Sequence, residues 1–353
     1  MERFPRIYPR VFNFGSLNID YTYDVDEFVK PGETITSSHL TVSEGGKGLN
    51  QSVALARADA EVYHAGMIGE DGAFLVDFMK AFGVHTDLIE TNTEVRTGNA
   101  IIQRNSHGDN CIVLYPGSNR SLTREYIDRC LERTEPRDWV LTQNETSELP
   151  YIIEQAHRRE LTVCLNASPV DELLEQVDLS LVDYLFVNEG EAQALVAQAS
   201  QRQEITSTQH LEFFYIPEDY QGLDDLVGVI PGEVIDVDRS DVSNEIVRKS
   251  IDNLEKLITL YPTATIILTM GDQGALLAHY GERALYQPRF HTDYVVDTTG
   301  AGDTFTGFFI SSMMTHGNTE LAALSHAALA AAFAVEKKGA ARSIPDAYEI
   351  FYA

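Results

Sequence analysis

Basic residues are scarce. Lys and Arg number 26 against 54 Asp and Glu in 353 residues, a formal net charge of −28. Binding to a phosphate backbone or an anionic membrane needs clustered cations, so this balance excludes nucleic acid and membrane surfaces as partners. It also means that an anionic nucleotide has to be drawn in by local features, because the global field opposes it. Cysteine is nearly as scarce: Cys111, Cys130 and Cys164 have no metal-ligand spacing. Cys111 and Cys164 lie in apolar strand-like runs, where a buried free thiol is expected. The odd count and the lack of a secretory leader point to a cytoplasmic protein. No apolar run approaches the length of a membrane-spanning helix. Two familiar glycine motifs are missing as well. A dinucleotide fingerprint needs a third glycine where Phe305 stands, and neither Gly300–Gly302 nor Gly45–Gly48 supplies a Walker A loop.

What is there is an ordinary globular composition, 44% hydrophobic, long enough for one large domain or two. Its centre is Asp297-Thr298-Thr299-Gly300-Ala301-Gly302-Asp303-Thr304-Phe305. An apolar extended run (Tyr294, Val295, Val296) precedes it and a helical segment, Phe305 to Met314, follows. Strand, glycine turn and helix start are therefore expected together. Backbone N–H groups at a helix start have no intrahelical partner and carry the positive end of the dipole. Gly300 and Gly302 remove the Cβ atoms that would hold a phosphate off, leaving the amides of Gly300, Ala301, Gly302 and Asp303 to meet it. A carboxylate at Asp303 conflicts with an anion site unless it takes a proton from an attacking hydroxyl. An acidic N-terminal cap on a glycine turn accounts for the same residues.

The rest of the chain supplies a frame. Val11 to Leu17 reads as a first strand ending at Asn18 and Asp20, whose period-two spacing sends both side chains to one face. Ligands collect beyond the carboxyl ends of strands in open α/β sheets. Residues 21–42, broken at Pro31-Gly32, and 97–114, with a turn at 107–110, read as antiparallel strands of a small separate sheet. Gly45 to Ser52 is a glycine turn opening an alanine-rich helix, with Asn50 and Lys47 in it. Asp59 falls where that helix needs a left-handed residue. From Trp139 onward strand and helix alternate: 139–143, helix 149–158, 161–166, a segment 173–177, 184–187, then Asn188-Glu189-Gly190-Glu191. That rhythm means a mostly parallel sheet with helices on both faces. Glu145 lies just past one strand end. Residues 199–243 break the rhythm, with aromatics at Phe213, Phe214 and Tyr215 and acids at Asp236, Asp238 and Asp241. Thr265 to Met270 is a strand followed by a turn at Gly271–Gly274, and a helix is expected over 320–337.

D-T-T-G-A-G-D-T-F resembles the C-terminal signature of the PfkB, or ribokinase-like, family of sugar kinases, and Gly45-Gly46-Lys47-Gly48-Leu49-Asn50-Gln51 resembles its N-terminal one. The resemblance runs from about Phe12 to Pro345. It implies a single domain over 1–353: a three-layer α/β/α fold with a mostly parallel central sheet and a small β-sheet lid, at which the family often dimerises. It implies transfer of the γ-phosphate of ATP to a primary hydroxyl of a pentose, D-ribose above all, with Asp303 as general base. A nucleoside or another sugar as acceptor, and a non-catalytic sugar sensor, stay open. Asn18, Asp20, Gly46, Lys47, Asn50 and Glu145 match sugar-binding positions. Asn188, Thr269, Gly271 and Gly274 match nucleotide positions, and Glu191 matches a carboxylate that holds Mg²⁺ through water. Asp297, Thr299, Ala334, Lys337, Gly339 and Ser343 match carbonyls that bind K⁺. Segment 199–243 reads as an insertion. Phe308 replaces a small residue of the family, so its ring is expected either against the ligands or in the core. An adenine-side Asn or His of the family has no counterpart: its place falls at Ala328, with His326 displaced.

Overall fold

The computed structural model describes residues 8–107, 109–202, 204–205, 208–215, 244–315 and 317–351. The chain runs β1 (Val11–Phe14), β2 (Asn18–Asp24), β3 (His39–Gly45), α1 (Lys47–Arg57), β4 (Val62–Gly69), α2 (Ala73–Ala81), β5 (His85–Asn92), β6 (Gly98–Arg104), β7 (Asn110–Tyr115), α3 (Arg124–Leu131), β8 (Trp139–Gln143) and α4 (Leu149–Arg158). It continues with β9 (Thr162–Asn166), β10 (Tyr184–Asn188), α5 (Glu189–Gln201), β11 (Phe213–Tyr215), α6 (Glu245–Leu260), β12 (Thr265–Thr269), β13 (Ala275–Ala278), β14 (Ala284–Gln287), α7 (Ala301–Met314), α8 (Glu320–Val335) and α9 (Ala347–Phe351).

Short apolar runs become strands because each is covered on both sides. Along β10, Leu185 and Val187 enter one core while Phe186 enters the other; Ile266 and Leu268 of β12 oppose Ile267 in the same way. One core lies under α3 to α6, the other under α1, α2, α7 and α8. Among the described residues the large sheet has ten strands in the order β11-β14-β13-β12-β10-β9-β8-β1-β4-β5. From β5 to β12 every neighbouring pair is parallel, and β12, β13 and β14 are antiparallel. The three-layer reading of the sequence holds. No described helix is long and apolar enough to cross a membrane.

A second sheet has the order β3-β2-β6-β7. It corrects two expectations. β2 and β6 pair in parallel, not antiparallel, because each is the first strand of a hairpin leaving the main body in the same direction. The first strand of the large sheet also stops at Phe14; Asn18 and Asp20 belong to β2 in the lid. The lid's outer strand β7 is exposed throughout, and Cys111 with it, so the expectation of a buried thiol there fails; Cys164 is buried as expected. An apolar strand implies burial only when something covers it, and here nothing among the described residues does.

Other expectations resolve locally. No strand precedes the glycine turn: Tyr294, Val295 and Val296 are exposed, and their stretch is held by Val296 N–H and Asp297 N–H on the Val335 carbonyl at 2.8 and 3.1 Å. Segment 173–177 is a single 3₁₀ turn, Leu174–Gln176. Asp59 has φ +66°, the left-handed residue the helix end required. The described part of 199–243 extends α5 and adds β11 beside β14, with Phe213 buried in the core. The acidic residues Asp236, Asp238 and Asp241 lie outside the described residues.

Candidate active site

The parallel strands deliver their carboxyl ends to one edge, and the two glycine turns meet there. α1 and α7 pack closely because Gly307 faces Ala54, where a Cβ would lie 2.4 Å from Ala54 Cβ. That contact brings Asn50 and Gln51 of α1 to Asp303 of α7. Asn50 Nδ2 donates to Asp303 Oδ2 and Gln51 Nε2 to Oδ1, both at 2.9 Å. Asn50 Oδ1 is buried without a partner, an acceptor placed for a ligand hydroxyl.

α7 begins at Gly300, whose φ of +78° only glycine adopts easily, and its first bond is Thr304 N–H to Gly300 O at 2.8 Å. The amides of Gly302 and Asp303 precede that bond and so lack an intrahelical acceptor. A Cβ on Gly302 would meet nothing within 4 Å. The fold itself does not require glycine there. Two clefts meet at this point. One of about 390 Å³ is lined by Thr269, Gly271, Gly274, Phe290, Ala328 and Val335 among others, the second of about 210 Å³ by Lys47, Asn166, Glu191, Gly300 and Asp303 among others, and Asn188, Thr269 and Gly302 line both.

On the other side of Asp303 lies a charged cluster. Lys47 Nζ is 3.4 Å from Glu145 Oε1, and Ser16 Oγ donates to Glu145 Oε2. Asp20 reaches over Gly45, where a Cβ would clash with its carboxylate. Asn18 is fixed by Asn119 Nδ2, which donates to its Oδ1 at 2.8 Å. Gly46 adopts φ +96°. The predicted sugar-side residues, Asn18, Asp20, Gly46, Lys47, Asn50 and Glu145, are thus gathered along β2, the start of α1 and the loop after β8.

Burial pushes the Asp303 carboxyl up to about 6, with Glu145 adding to it and Lys47, Asn50 and Gln51 opposing it. Burial likewise pushes Asp20 up to about 7, aided by Glu145. Burial works against the Lys47 charge, but Glu145, Asp303 and Glu191 raise its pKa above the ordinary lysine value. Both raised carboxyls hold a proton more tightly in the folded chain than at the ordinary 3.8. Their contribution therefore favours the fold at pH below about 4 and is lost as pH rises through 6 and 7. Melting temperatures of ligand-free wild type and Asp20→Asn, compared between about pH 5 and pH 8, should diverge, the variant gaining on the wild type as pH rises. Parallel curves would exclude this.

Glu191 does two things at once. Its Oε2 accepts from Asn188 N–H and Asn188 Oδ1 accepts from Glu191 N–H, each at 2.9 Å, a capping box opening α5. It also lines the smaller cleft. Among the described residues no cluster of three or more His, Cys, Asp or Glu forms a metal cage. A single carboxylate facing a phosphate-sized cleft suits Mg²⁺, which keeps its waters and binds substrate phosphates. Of the predicted K⁺ positions, Asp297, Thr299 and Gly339 are joined by the Asp297 carboxylate, which accepts from Thr299 N–H and Gly339 N–H at 3.0 Å each. Those bonds hold its pKa below the ordinary value against the opposing effect of burial. Ala334 and Lys337 join through Lys337 N–H to Ala334 O at 3.1 Å, and Ser343 is tied to Ala340.

Gly274 serves the fold first: φ is +89° and a Cβ would lie 2.1 Å from Gln287 O. Phe308 is fully buried and packs on Phe351, away from both clefts. His326 is buried on Ser312 Oγ at 2.9 Å, while Ala328 lines the larger cleft. Sequence reasoning missed Ser16, Asn119 and the role of Gln51. Only Gln51 carried a signal, its place within the glycine motif; the other two are recognisable only by what the fold sets beside them.

The model of the pfkB family of carbohydrate kinases matches residues 9–213 and 241–347. The ribokinase of Haemophilus influenzae is 28% identical over 339 residues, covering 95% of both chains. That of Bacillus subtilis is 29% identical over 340 residues, covering 95% of this chain and 96% of its own. A crystal structure of Cryptococcus neoformans ribokinase in complex with ADP superposes with a TM-score of 0.76 at 28% identity, covering 97% of this chain and 98% of that one.

Proposed function

The chain belongs to the pfkB family of carbohydrate kinases, and from that premise we propose that it phosphorylates D-ribose with ATP, giving ribose 5-phosphate and ADP. The observation that carries this is Asp303: a buried carboxyl in the first turn of α7, beside the open Gly302, between a nucleotide-sized cleft and the sugar-side cluster. ATP takes the larger cleft, with Thr269, Gly271 and Gly274 along it and Asn188 near the phosphates. Ribose lies on Asn18, Asp20, Gly46, Asn50 and Glu145. Asp303 takes the proton of the primary hydroxyl as its oxygen bonds to the γ-phosphorus and the bond to the β–γ bridging oxygen breaks. The amides of Gly300, Gly302 and Asp303 and the Lys47 ammonium meet the charge on the transferred group, Ala301 N–H being taken by the Thr298 carbonyl at 3.3 Å. Glu191 would hold Mg²⁺ through water, which neutralises phosphate charge when bound. The carbonyls of Asp297, Thr299, Ala334, Lys337, Gly339 and Ser343 would hold K⁺, keeping the anion-binding turn in shape. The names of the relatives and the Gly45–Gln51 motif support ribose as the acceptor.

ATP consumption measured against pentoses, deoxyribose, hexoses and nucleosides, with K⁺ or Na⁺, should show turnover with ribose above all and a several-fold gain with K⁺. Turnover with another acceptor would move the specificity and keep Asp303. Silence across the panel would reject the kinase reading.

The lid leads to a second part of the proposal. Val42, Tyr21, Ile101 and Val113 form one cross-strand row, and Val42, Ile101 and Val113 are 51%, 45% and 63% exposed. A contiguous apolar face of this kind suits a second copy of the chain. The protein is proposed to dimerise through it, and to act in the cytoplasm, where its three free cysteines stay reduced. Sedimentation should give a dimer for the wild type and a monomer for Val113→Glu; unchanged sedimentation would reject the lid as the interface.

A further inference from the structure

Beneath the site runs a buried polar chain that the transfer reaction does not explain. Asn13 and Gln143 project from β1 and β8 on the same faces as Val11 and Leu141, toward α1. Asn13, Gln51, Ser52, His64 and Gln143 are all 0% exposed. Polar groups so buried have to be paired, and the pairing decides which end of each amide points where.

The polarity is anchored at two main-chain carbonyls. Gly48 O only accepts, so Asn13 turns Nδ2 to it at 2.8 Å and to Ser52 Oγ at 2.9 Å. Asn13 Oδ1 is then an acceptor and takes Gln143 Nε2 at 3.0 Å. The same Nε2 donates to Gln51 Oε1 at 2.7 Å. Gln51 is left with Nε2 to offer, and offers it to Asp303 Oδ1 at 2.9 Å. At the other anchor, His64 Nε2 pairs with Gly15 O at 3.2 Å and its Nδ1 pairs with Ser52 Oγ at 2.8 Å. Burial drives the imidazole pKa down to about 3, so it is neutral, with Nε2 donating to the carbonyl and Nδ1 accepting from Ser52. Reversing Gln143 would give its unpartnered Oε1 nothing, since it would face two acceptors. Asn50 differs: it is held at Nδ2 alone, with Oδ1 unpartnered.

We propose that Gln51 is a positioning residue for phosphoryl transfer, delivering through the Asn13–Gln143–Gln51 chain a donor of fixed polarity to Asp303 Oδ1, so that the carboxylate is held as an anion with Oδ2, beside Asn50, turned to the sugar hydroxyl. This rests on reading Asp303 as the proton acceptor. The charged groups that act on Asp303 are Lys47 and Glu145, with Asp20 and Glu191 acting on Lys47 or Glu145 in turn. Substituting Gln51 leaves all four in place, so a change in the pH profile reports the lost donor.

The test uses the full chain with ribose and ATP. Gln51→Met should lower kcat by about 10- to 100-fold and leave KM for ribose within about threefold. It should also move the acid limb of the kcat profile up by about one pH unit, because a donor that favours the anion is gone. Gln143→Met, which does not touch Asp303, should give the same pattern more weakly. An unmoved acid limb, or kcat and KM falling and rising together with lost melting temperature, overturns the proposal. Should Gln51→Met fail to fold, Gln51→Glu keeps the volume and sets a second carboxyl against Asp303, which should move the limb further up; an unmoved limb there overturns it equally. If Asp303→Asn keeps its turnover, the reading of Asp303 fails instead. If Asp303→Asn is inactive while Gln51→Met keeps the wild-type limb, only the positioning role fails.

Discussion

Asp303→Asn should bind ribose within several-fold of wild type while turnover falls by about 10³-fold. The asparagine has nearly the same shape but cannot take the hydroxyl proton. It fits without unfolding the site for a specific reason. Both carboxylate oxygens accept a bond, one from Gln51 and one from Asn50. An amide has one acceptor and one donor end, so one contact has to reverse. Gln51 is unable to turn, because its Oε1 takes Gln143 Nε2. Asn50 is able to, because its Oδ1 is unpartnered. The new side chain therefore points its oxygen to Gln51 and its nitrogen to a reversed Asn50. Titration calorimetry with ribose and a coupled ADP assay separate the two effects. Near-normal turnover would remove Asp303 from the chemistry.

Gly48→Ala should damage both stability and turnover. Its Cβ would lie 2.3 Å from Ser16 N and 2.4 Å from Gly15 C, which are backbone atoms without a rotamer to change. The turn between β1 and β2 would have to move. Overpacking of this kind costs about 3 kcal/mol. Function should suffer on top of stability, because the displaced turn holds Ser16 against Glu145 and leads directly into Asn18. A shift of about 1 Å in such positions costs about 100-fold in kcat/KM. Gly302→Ala is the matching control. Its Cβ meets open space in the protein, and alanine suits a helix better than glycine, so the melting temperature should hold or rise. Turnover with ATP should still drop, since the methyl enters the cleft where the phosphate passes. Equal melting temperatures for Gly48→Ala and wild type would sink the first argument; unaltered turnover in Gly302→Ala would sink the second.

These two glycines show what a chain can and cannot state about itself. Both stand in motifs, and both read as places where a backbone comes close to something. The sequence does not say to what. For Gly48 the neighbour is Gly15, distant in the chain and brought near by the crossing from lid to α1. For Gly302 a Cβ would meet nothing within 4 Å among the described residues. Cys111 illustrates the same limit. Its strand is apolar, but burial depends on whether a second layer exists, and among the described residues the lid's outer strand has none. Phe308 went the other way: the helix turns its ring into the core beside Phe351 and away from both clefts.

The layered α/β architecture was legible in the linear chain, through strand and helix rhythm, and two contiguous motifs marked Asp303, Asn50 and Lys47 as candidates for one site. Periodicity and short motifs are local, and local order survives in a linear string. Packing alone set β2 and β6 parallel, left no strand leading into the glycine turn, and linked Asn13 and Gln143 to Asp303 through Gln51. Each of those depends on which residues the sheet register and the α1–α7 contact place side by side. Hydrogen bonds of fixed polarity between residues 13, 51, 143 and 303 exist only once four separate elements have packed.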